Sequence, residues 1–374
     1  MTLPIRPELE GLEPYGAPQL DVRARLNVNE NPYAPPTSVV DAIAASVRKA
    51  AEGLNRYPDR DFTALRADLA HYLAQESHVD FVEARNIWAA NGSNEIMLHL
   101  HQAFGGPGRR SLSFAPTYSM YPEYARDTIT DYVTLPRRDD FTLDIDAAVA
   151  AIAEVQPSLV IVASPNNPTG TALPLEHVRQ LADATAAVPG GSVLVIDEAY
   201  AEFRRKGVPS AASILPEIPH MAVSRTMSKA FALAGGRVGY LLAHEKLVDA
   251  LRVVRLPYHL SAVTQATARA ALQHHRELQA QVDEIRAERD DTVAWLRDQG
   301  FTVADTDANF ALFGPFEDRE SVFQGLLARG VLIRVTGPEG WLRVSIGTTE
   351  EMSLFRSALL EVSPRDVTSR ENTT

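Results

Sequence analysis

Lys229 closes the run Arg225-Thr226-Met227-Ser228-Lys229 at the end of a β-like apolar stretch, and Arg237 follows eight residues later among Gly235, Gly236 and Gly239. A lysine that captures an aldehyde must first lose its proton, so its surroundings must disfavour the ammonium. A phosphate asks for hydroxyls, N–H groups and a guanidinium converging on one point, which Thr226, Ser228 and Arg237 could supply. Taken alone, a Ser-Lys pair also fits a surface lysine in a polar turn. The motifs upstream bear on that choice.

Asn91-Gly92-Ser93-Asn94-Glu95 joins a strand-like run to an amphipathic helix carrying Ile96, Leu100, Ala103 and Phe104. The free N–H groups and dipole of such a helix start can hold a phosphate beside Ser93 and Asn94; a plain helix cap is the alternative. Tyr118, in Ala115-Pro116-Thr117-Tyr118, follows the strand expected at 111–114 and offers a face on which a planar ring could stack, or else is a core or rim tyrosine. In Ser164-Pro165-Asn166-Asn167-Pro168-Thr169-Gly170, two prolines fix a turn that can hold the Asn167 amide as an aimed donor. The apolar run from Val193 ends in Asp197-Glu198-Ala199-Tyr200. A carboxylate at that depth is costly unless paired, and a protonated pyridine nitrogen suits it; a helix N-cap is the plainer role. Tyr200, three residues on, can reach a phenolic oxygen of the same ring. A ring-nitrogen partner, a ring-oxygen donor pair, a stacking face, a phosphate cradle and an amine for an aldehyde form the set that pyridoxal 5′-phosphate demands.

These motifs need a scaffold, and residues 86–242 supply one pattern for it: short apolar runs alternating with helical periodicity, the signature of a mainly parallel sheet with helices on its faces. Seven strands are expected, beginning near Asn86, Ser111, Asp131, Ser158, Val193, Met221 and Val238, with 158–163 and 193–196 central. The helix expected over 63–75 carries Leu65, Leu69, Tyr72 and Leu73 on one stripe, which reads as core. After Pro257 the texture changes to a long helical region over 262–298, with a break near His274 and His275, then strands at 310–313, 331–335 and 342–346 and helices at 321–328 and 350–361. The organisation expected is an arm over 1–36, a large domain over 37–256, a smaller α/β domain over 257–362 joined by part of the arm, and a polar tail over 363–374.

Composition excludes several classes. The 374 residues carry 36 basic and 48 acidic side chains, a formal charge of −12, which argues against nucleic acid or anionic membrane as partner. Cysteine is absent, so disulfides, thiolate metal sites and thiol nucleophiles are excluded. The ten histidines include no His-Glu-x-x-His, and His99 and His101 face apart on a helix, so no metal site is expected. The glycine runs fit neither a dinucleotide fingerprint nor a nucleotide-hydrolase phosphate loop. A cytoplasmic protein is expected, since Met1-Thr2-Leu3-Pro4 opens no export signal and no run nears 18 apolar residues.

In order and content these motifs resemble the fold-type I, class-II pyridoxal-phosphate-dependent aminotransferases over nearly the whole chain. Within them the sequence is most similar to the histidinol-phosphate aminotransferase family, through residues 26–33, Arg56-Tyr57-Pro58-Asp59, 225–235, 256–260, Asp307-Ala308-Asn309-Phe310 and 342–348. The resemblance implies a mostly parallel seven-stranded sheet with a smaller C-terminal α/β domain, and a transamination between L-histidinol phosphate and 2-oxoglutarate in histidine biosynthesis. It implies Lys229 as the catalytic amine, Asp197 at the pyridine nitrogen, and Asn167 and Tyr200 at the ring oxygen. Ser93, Asn94, Thr226, Ser228 and Arg237 would hold the phosphate, Tyr118 would stack, and Tyr57 would reach the phosphate from the neighbouring subunit of a homodimer. For the substrate's anionic end the choices are Arg343 and Arg334 on adjacent strands, with Tyr15 from the arm; a pair of solvated strand arginines is the alternative. One departure stands out: Val335 follows Arg334 where the family usually has Asp. An aromatic amino acid aminotransferase or a decarboxylase of phosphorylated amino acids would share the cofactor. A ligand sensor lacking turnover would carry an added helix-turn-helix region, which is not expected with about 36 residues before the first helix and a formal charge of −12.

Overall fold

Seven apolar runs become one sheet in the computed structural model, which describes residues 3–14 and 16–363. From the N-terminus the chain forms β1 (Ala24–Arg25), α1 (Thr37–Ala51), α2 (Thr63–Glu76), β2 (Ile87–Ala90) and α3 (Ser93–Phe104). It continues through β3 (Arg110–Ala115), α4 (Tyr121–Asp127), β4 (Asp131–Pro136), α5 (Ile145–Val155), β5 (Leu159–Ala163), α6 (Leu175–Ala186), β6 (Val193–Asp197), β7 (Met221–Thr226) and β8 (Gly239–Ala243). The strand order is β2-β8-β7-β6-β5-β3-β4. All neighbours pair in parallel except β8, which runs against both β7 and β2. Every residue of β5 and β6 is buried, as expected of central strands covered on both faces. On α2 the stripe Leu65, Leu69, Tyr72 and Leu73 is buried, so its spacing reports core packing.

Parallel pairing sets the carboxyl ends of β3, β5, β6 and β7 along one edge: Ala163 lies opposite Asp197, and Asp197 opposite Ser224. Ligands of open α/β sheets bind outside that edge. Turns that leave the sheet there must carry the chemistry, and the motifs around Tyr118, Asn167, Tyr200 and Lys229 all do.

Beyond β8 lie α7 (Glu245–Val254), α8 (Ala262–Gln273), α9 (His275–Asp298), β9 (Thr302–Val303), β10 (Phe310–Gly314), α10 (Arg319–Ala328), β11 (Val331–Leu332), β12 (Arg334–Val335), β13 (Leu342–Ser345) and α11 (Thr349–Val362). The break expected near His274 separates α8 from α9. A four-stranded antiparallel sheet has the order β12-β13-β10-β9. The single strand expected over 331–335 is in fact two. Residues 331–332 pair in parallel with β1 of the N-terminal arm, whereas 334–335 pair antiparallel with β13. An apolar run of this length records burial but not which backbone its N–H groups will meet, and the arm supplied a second edge. The arm is extended for most of its course, with one 3-10 turn at Pro7–Leu9. Of the expected tail, residues 364–374 lie outside the described residues.

Candidate active site

The carboxyl edge of the seven-stranded sheet and the facing ends of β12 and β13 enclose a cavity of about 590 Å³. Of the residues expected to do chemistry, Ser93, Asn94, Tyr118, Asn167, Asp197, Tyr200, Thr226, Ser228, Lys229, Arg237, Arg334 and Arg343 all line it. Tyr57 does not: it stands on the surface, 80% exposed, stacked on Tyr258 at 4.4 Å. Tyr15 lies outside the described residues.

Asp197 ends β6 at the floor, 6% exposed. Its Oδ2 accepts a 2.8 Å hydrogen bond from the Tyr121 hydroxyl, while Oδ1 has no hydrogen-bond partner among the described residues. Burial pushes this carboxyl up to about 6, with the Tyr121 hydroxyl pulling the other way. Such a carboxylate is under-solvated and open to a cation. Across the floor, Tyr200 Oη accepts from Asn167 Nδ2 at 3.4 Å and from Asn29 Nδ2 at 3.0 Å.

At the far wall, the turn before α3 meets the segment after β7. Thr226 Oγ1 donates to Ser228 Oγ at 3.0 Å, and Arg237 donates to the Ala234 carbonyl at 3.1 Å. Gly92 has φ +92°, and a Cβ there would lie 2.5 Å from Arg237 Nη2, so only glycine lets the guanidinium approach this turn. The first N–H groups of α3, two hydroxyls and a guanidinium therefore converge, a donor set suited to a phosphate. Tyr118 stands above, its hydroxyl 3.3 Å from Asn94 Oδ1.

Lys229 is half-buried, and its Nζ donates to the Val28 carbonyl at 2.9 Å. Loss of water pushes its ammonium down to about 8; Arg343 and Arg237 push the same way and Glu30 opposes them. Arg343 enters from β13, buried, with one nitrogen donating to Asn167 Oδ1 and another to the Asn27 carbonyl at 2.8 Å. Its guanidinium lies 5.2 Å from the Phe310 ring centre. Arg334, half-buried on β12, lies in register with Arg343. Two guanidiniums thus face an amine across one cavity.

The model for aminotransferase class I and II matches residues 24–359. This chain belongs to that family. The aminotransferase is 60% identical to the histidinol-phosphate aminotransferase of Thermobifida fusca over 363 residues, 97% of this chain and 96% of the other. It is 57% identical to the enzyme of that name from Bifidobacterium longum, covering 96% of each. Among solved structures it is similar to the histidinol-phosphate aminotransferase of Sinorhizobium meliloti in complex with pyridoxal 5′-phosphate, with a TM-score of 0.82, 25% identity and coverage of 97% and 98%.

Three residues in or directly behind the lining of this aminotransferase's cavity have no role in the sequence motifs. Tyr121 touches Asp197 directly; its only sequence signal is a place three residues after Tyr118, at the start of α4. Asn29 reaches Tyr200, and Ser345 holds Asn29 through two hydrogen bonds, yet both residues stood in the motifs only as points of resemblance. Among the described residues no group of three or more His, Asp or Glu side chains could hold a metal ion, and no helix is long and apolar enough to cross a membrane.

Proposed function

We propose that this aminotransferase exchanges an amino group between L-histidinol phosphate and 2-oxoglutarate, giving imidazole-acetol phosphate and L-glutamate, with pyridoxal 5′-phosphate in the cavity. The observation that carries the reading is a convergence. Lys229, with its ammonium pushed down to about 8, shares one cavity with the unpartnered Asp197 oxygen and the Arg343 guanidinium. The names and near-full-length identity of the relatives support the substrate.

The residues fit the cofactor. Asp197 Oδ1 would take a protonated ring nitrogen, which relieves the burial of its charge. Asn167 and Tyr200 would meet the ring oxygen, Tyr118 would stack, and the α3 N-terminus with Ser93, Asn94, Thr226, Ser228 and Arg237 would hold the phosphate. When bound, this cofactor supplies a conjugated electron sink for the pair released at the substrate's Cα. Lys229 Nζ, neutral above about pH 8, takes the proton from Cα and returns it as an acid. Arg343 and Arg334 hold the phosphate of histidinol phosphate and, in the other half-reaction, a glutamate carboxylate, because a forked donor matches two oxygens of either anion. Arg343 is pre-set for this by Asn167 and the Asn27 carbonyl.

A homodimer completes the reading. Leu54, Tyr57, Val253, Leu256 and Tyr258 are exposed apolar side chains on residues 54–57 and 253–258, two segments that meet in the Tyr57–Tyr258 stack, and Tyr57 would reach the partner's cofactor phosphate. The working test is a pair of variants. Lys229→Ala should cut turnover by about 10⁴-fold or more. Arg343→Lys should lower kcat/KM for histidinol phosphate and for glutamate alike by about 10- to 100-fold. Wild-type rates in either would overturn the assignment.

A further inference from the structure

Asn91 follows β2 and precedes Gly92, the N-cap of α3; it is half-buried and is not among the residues that line the cavity. Its backbone N–H donates to Glu95 Oε2 at 2.6 Å, and its side-chain Nδ2 donates to the same oxygen at 2.9 Å. Nδ2 also donates to the His259 carbonyl at 2.9 Å, so both amide hydrogens are used. His259 returns the contact. Its Nε2 lies 2.9 Å from the Ala89 carbonyl, and because a carbonyl only accepts, Nε2 carries the hydrogen. The imidazole stacks on Trp88 of β2, with ring centres 5.3 Å apart and 12° between the planes, and Phe62 meets it edge to face at 5.6 Å. Tyr258, just before it, holds φ +57°, a left-handed backbone unusual for a tyrosine that persists only where surrounding contacts fix it. β8 packs directly on the same turn, since a Cβ at Gly239 would collide with Ser93 N. The turn that opens α3 thus has backbone against it from β8 and is tied to residue 259 by two hydrogen bonds.

We infer that Asn91 and His259 form a clamp outside the cavity that positions the first N–H groups of α3 for the cofactor's phosphate. Both are positioning residues. This rests on the reading that the start of α3, with Thr226, Ser228 and Arg237, is where that phosphate binds. Hydrogen bonds weaken steeply as their angle departs from linear, so a turn freed from its clamp grips an anion less well. The ring contacts come from elsewhere: Asp197 and Tyr200 stand at and after the end of β6, and Asn167 stands after β5. Loss of the clamp is therefore selective. It weakens binding of the cofactor that bears a phosphate and spares the same ring without one.

Full-length protein freed of cofactor is titrated with pyridoxal 5′-phosphate and, separately, with pyridoxal, which lacks the phosphate, and dissociation constants are read from the absorption spectra. Asn91→Ala cuts the ties of the side chain to Glu95 and His259. His259→Phe keeps an aromatic ring on Trp88 and removes the N–H that meets Ala89. Arg237→Met gauges the cradle itself, and thermal midpoints are measured alongside. Asn91→Ala and His259→Phe should each lower the preference for pyridoxal 5′-phosphate over pyridoxal by about fivefold or more, with pyridoxal affinity within about twofold of wild type. Equal losses for the two ligands, or no loss for either, overturn the clamp. A fall in only one of the two variants also overturns it, because the clamp needs both residues. If Arg237→Met leaves the preference unchanged, the reading of the cradle falls as well. Should Asn91→Ala fail to fold, His259→Phe decides.

Discussion

Lys229 lies close enough to Arg343 and Arg237 that burial and like charge act together, which is why its ammonium is pushed down from 10.5 to about 8. The amine attacks an aldehyde only when neutral, so capture of pyridoxal 5′-phosphate by the cofactor-free protein should accelerate as pH rises, with a midpoint near 8, and level off above about 9. Stopped-flow absorbance measures this, and a midpoint near the ordinary lysine value would contradict the environment described. At this scale Lys229, Asp197, Asn167 and Tyr200 were legible in the sequence because each sits in a short motif at a strand end, where local order fixes position. Tyr121, Asn29 and Ser345 were not. Their roles are contacts made across 76, 171 and 316 residues of chain, and no local spacing encodes such distances. Val335 removes the carboxylate that the resemblance led one to expect beside Arg334, and the cavity retains both arginines nonetheless.

Strands and helices hold those residues through a charged knot behind β7. Arg225, fully buried, meets Glu198 at 2.8 Å, Glu76 of α2 at 2.9 Å and Glu202 at 3.3 Å, while Arg204 meets Glu76 at 2.9 Å. Glu198 follows Asp197 and Arg225 precedes Thr226, so the knot fixes two strand ends that face the cavity on their other side. Burial opposes the charge of Glu76, but Arg225 and Arg204 prevail and hold it at about 2. Its stabilising contribution is therefore complete above the unfolded value near 4.5 and is lost as pH falls toward 2. Arg225→Met leaves buried carboxylates uncompensated and should destabilise the protein by about 3–5 kcal/mol at neutral pH. Urea denaturation checks it; a loss below about 1 kcal/mol would show the knot to be dispensable. The seven strands themselves were readable as apolar runs with the right lengths. Their order, the reversed β8 and the division of residues 331–335 between two sheets were not, because pairing is decided by distant backbone rather than by the strand's own residues.

At the scale of the whole molecule, a chain of formal charge −12 leaves Leu54, Tyr57, Val253, Leu256 and Tyr258 exposed, with Tyr57 stacked on Tyr258. A homodimer would bury them and bring Tyr57 to its partner's cavity. Leu256→Asp should then shift the protein toward monomer by light scattering and lower activity in step; a wild-type protein that is monomeric and fully active would contradict the arrangement. Whether this cavity works on a phosphorylated imidazole amine is decided by the specificity constants for histidinol phosphate, phenylalanine and tyrosine with 2-oxoglutarate as acceptor. The kcat/KM for histidinol phosphate should exceed the other two by about 100-fold or more, since a phosphate carries more charge and more acceptor oxygens for the two guanidiniums than the single carboxylate of a free amino acid. A preference for phenylalanine or tyrosine would contradict it.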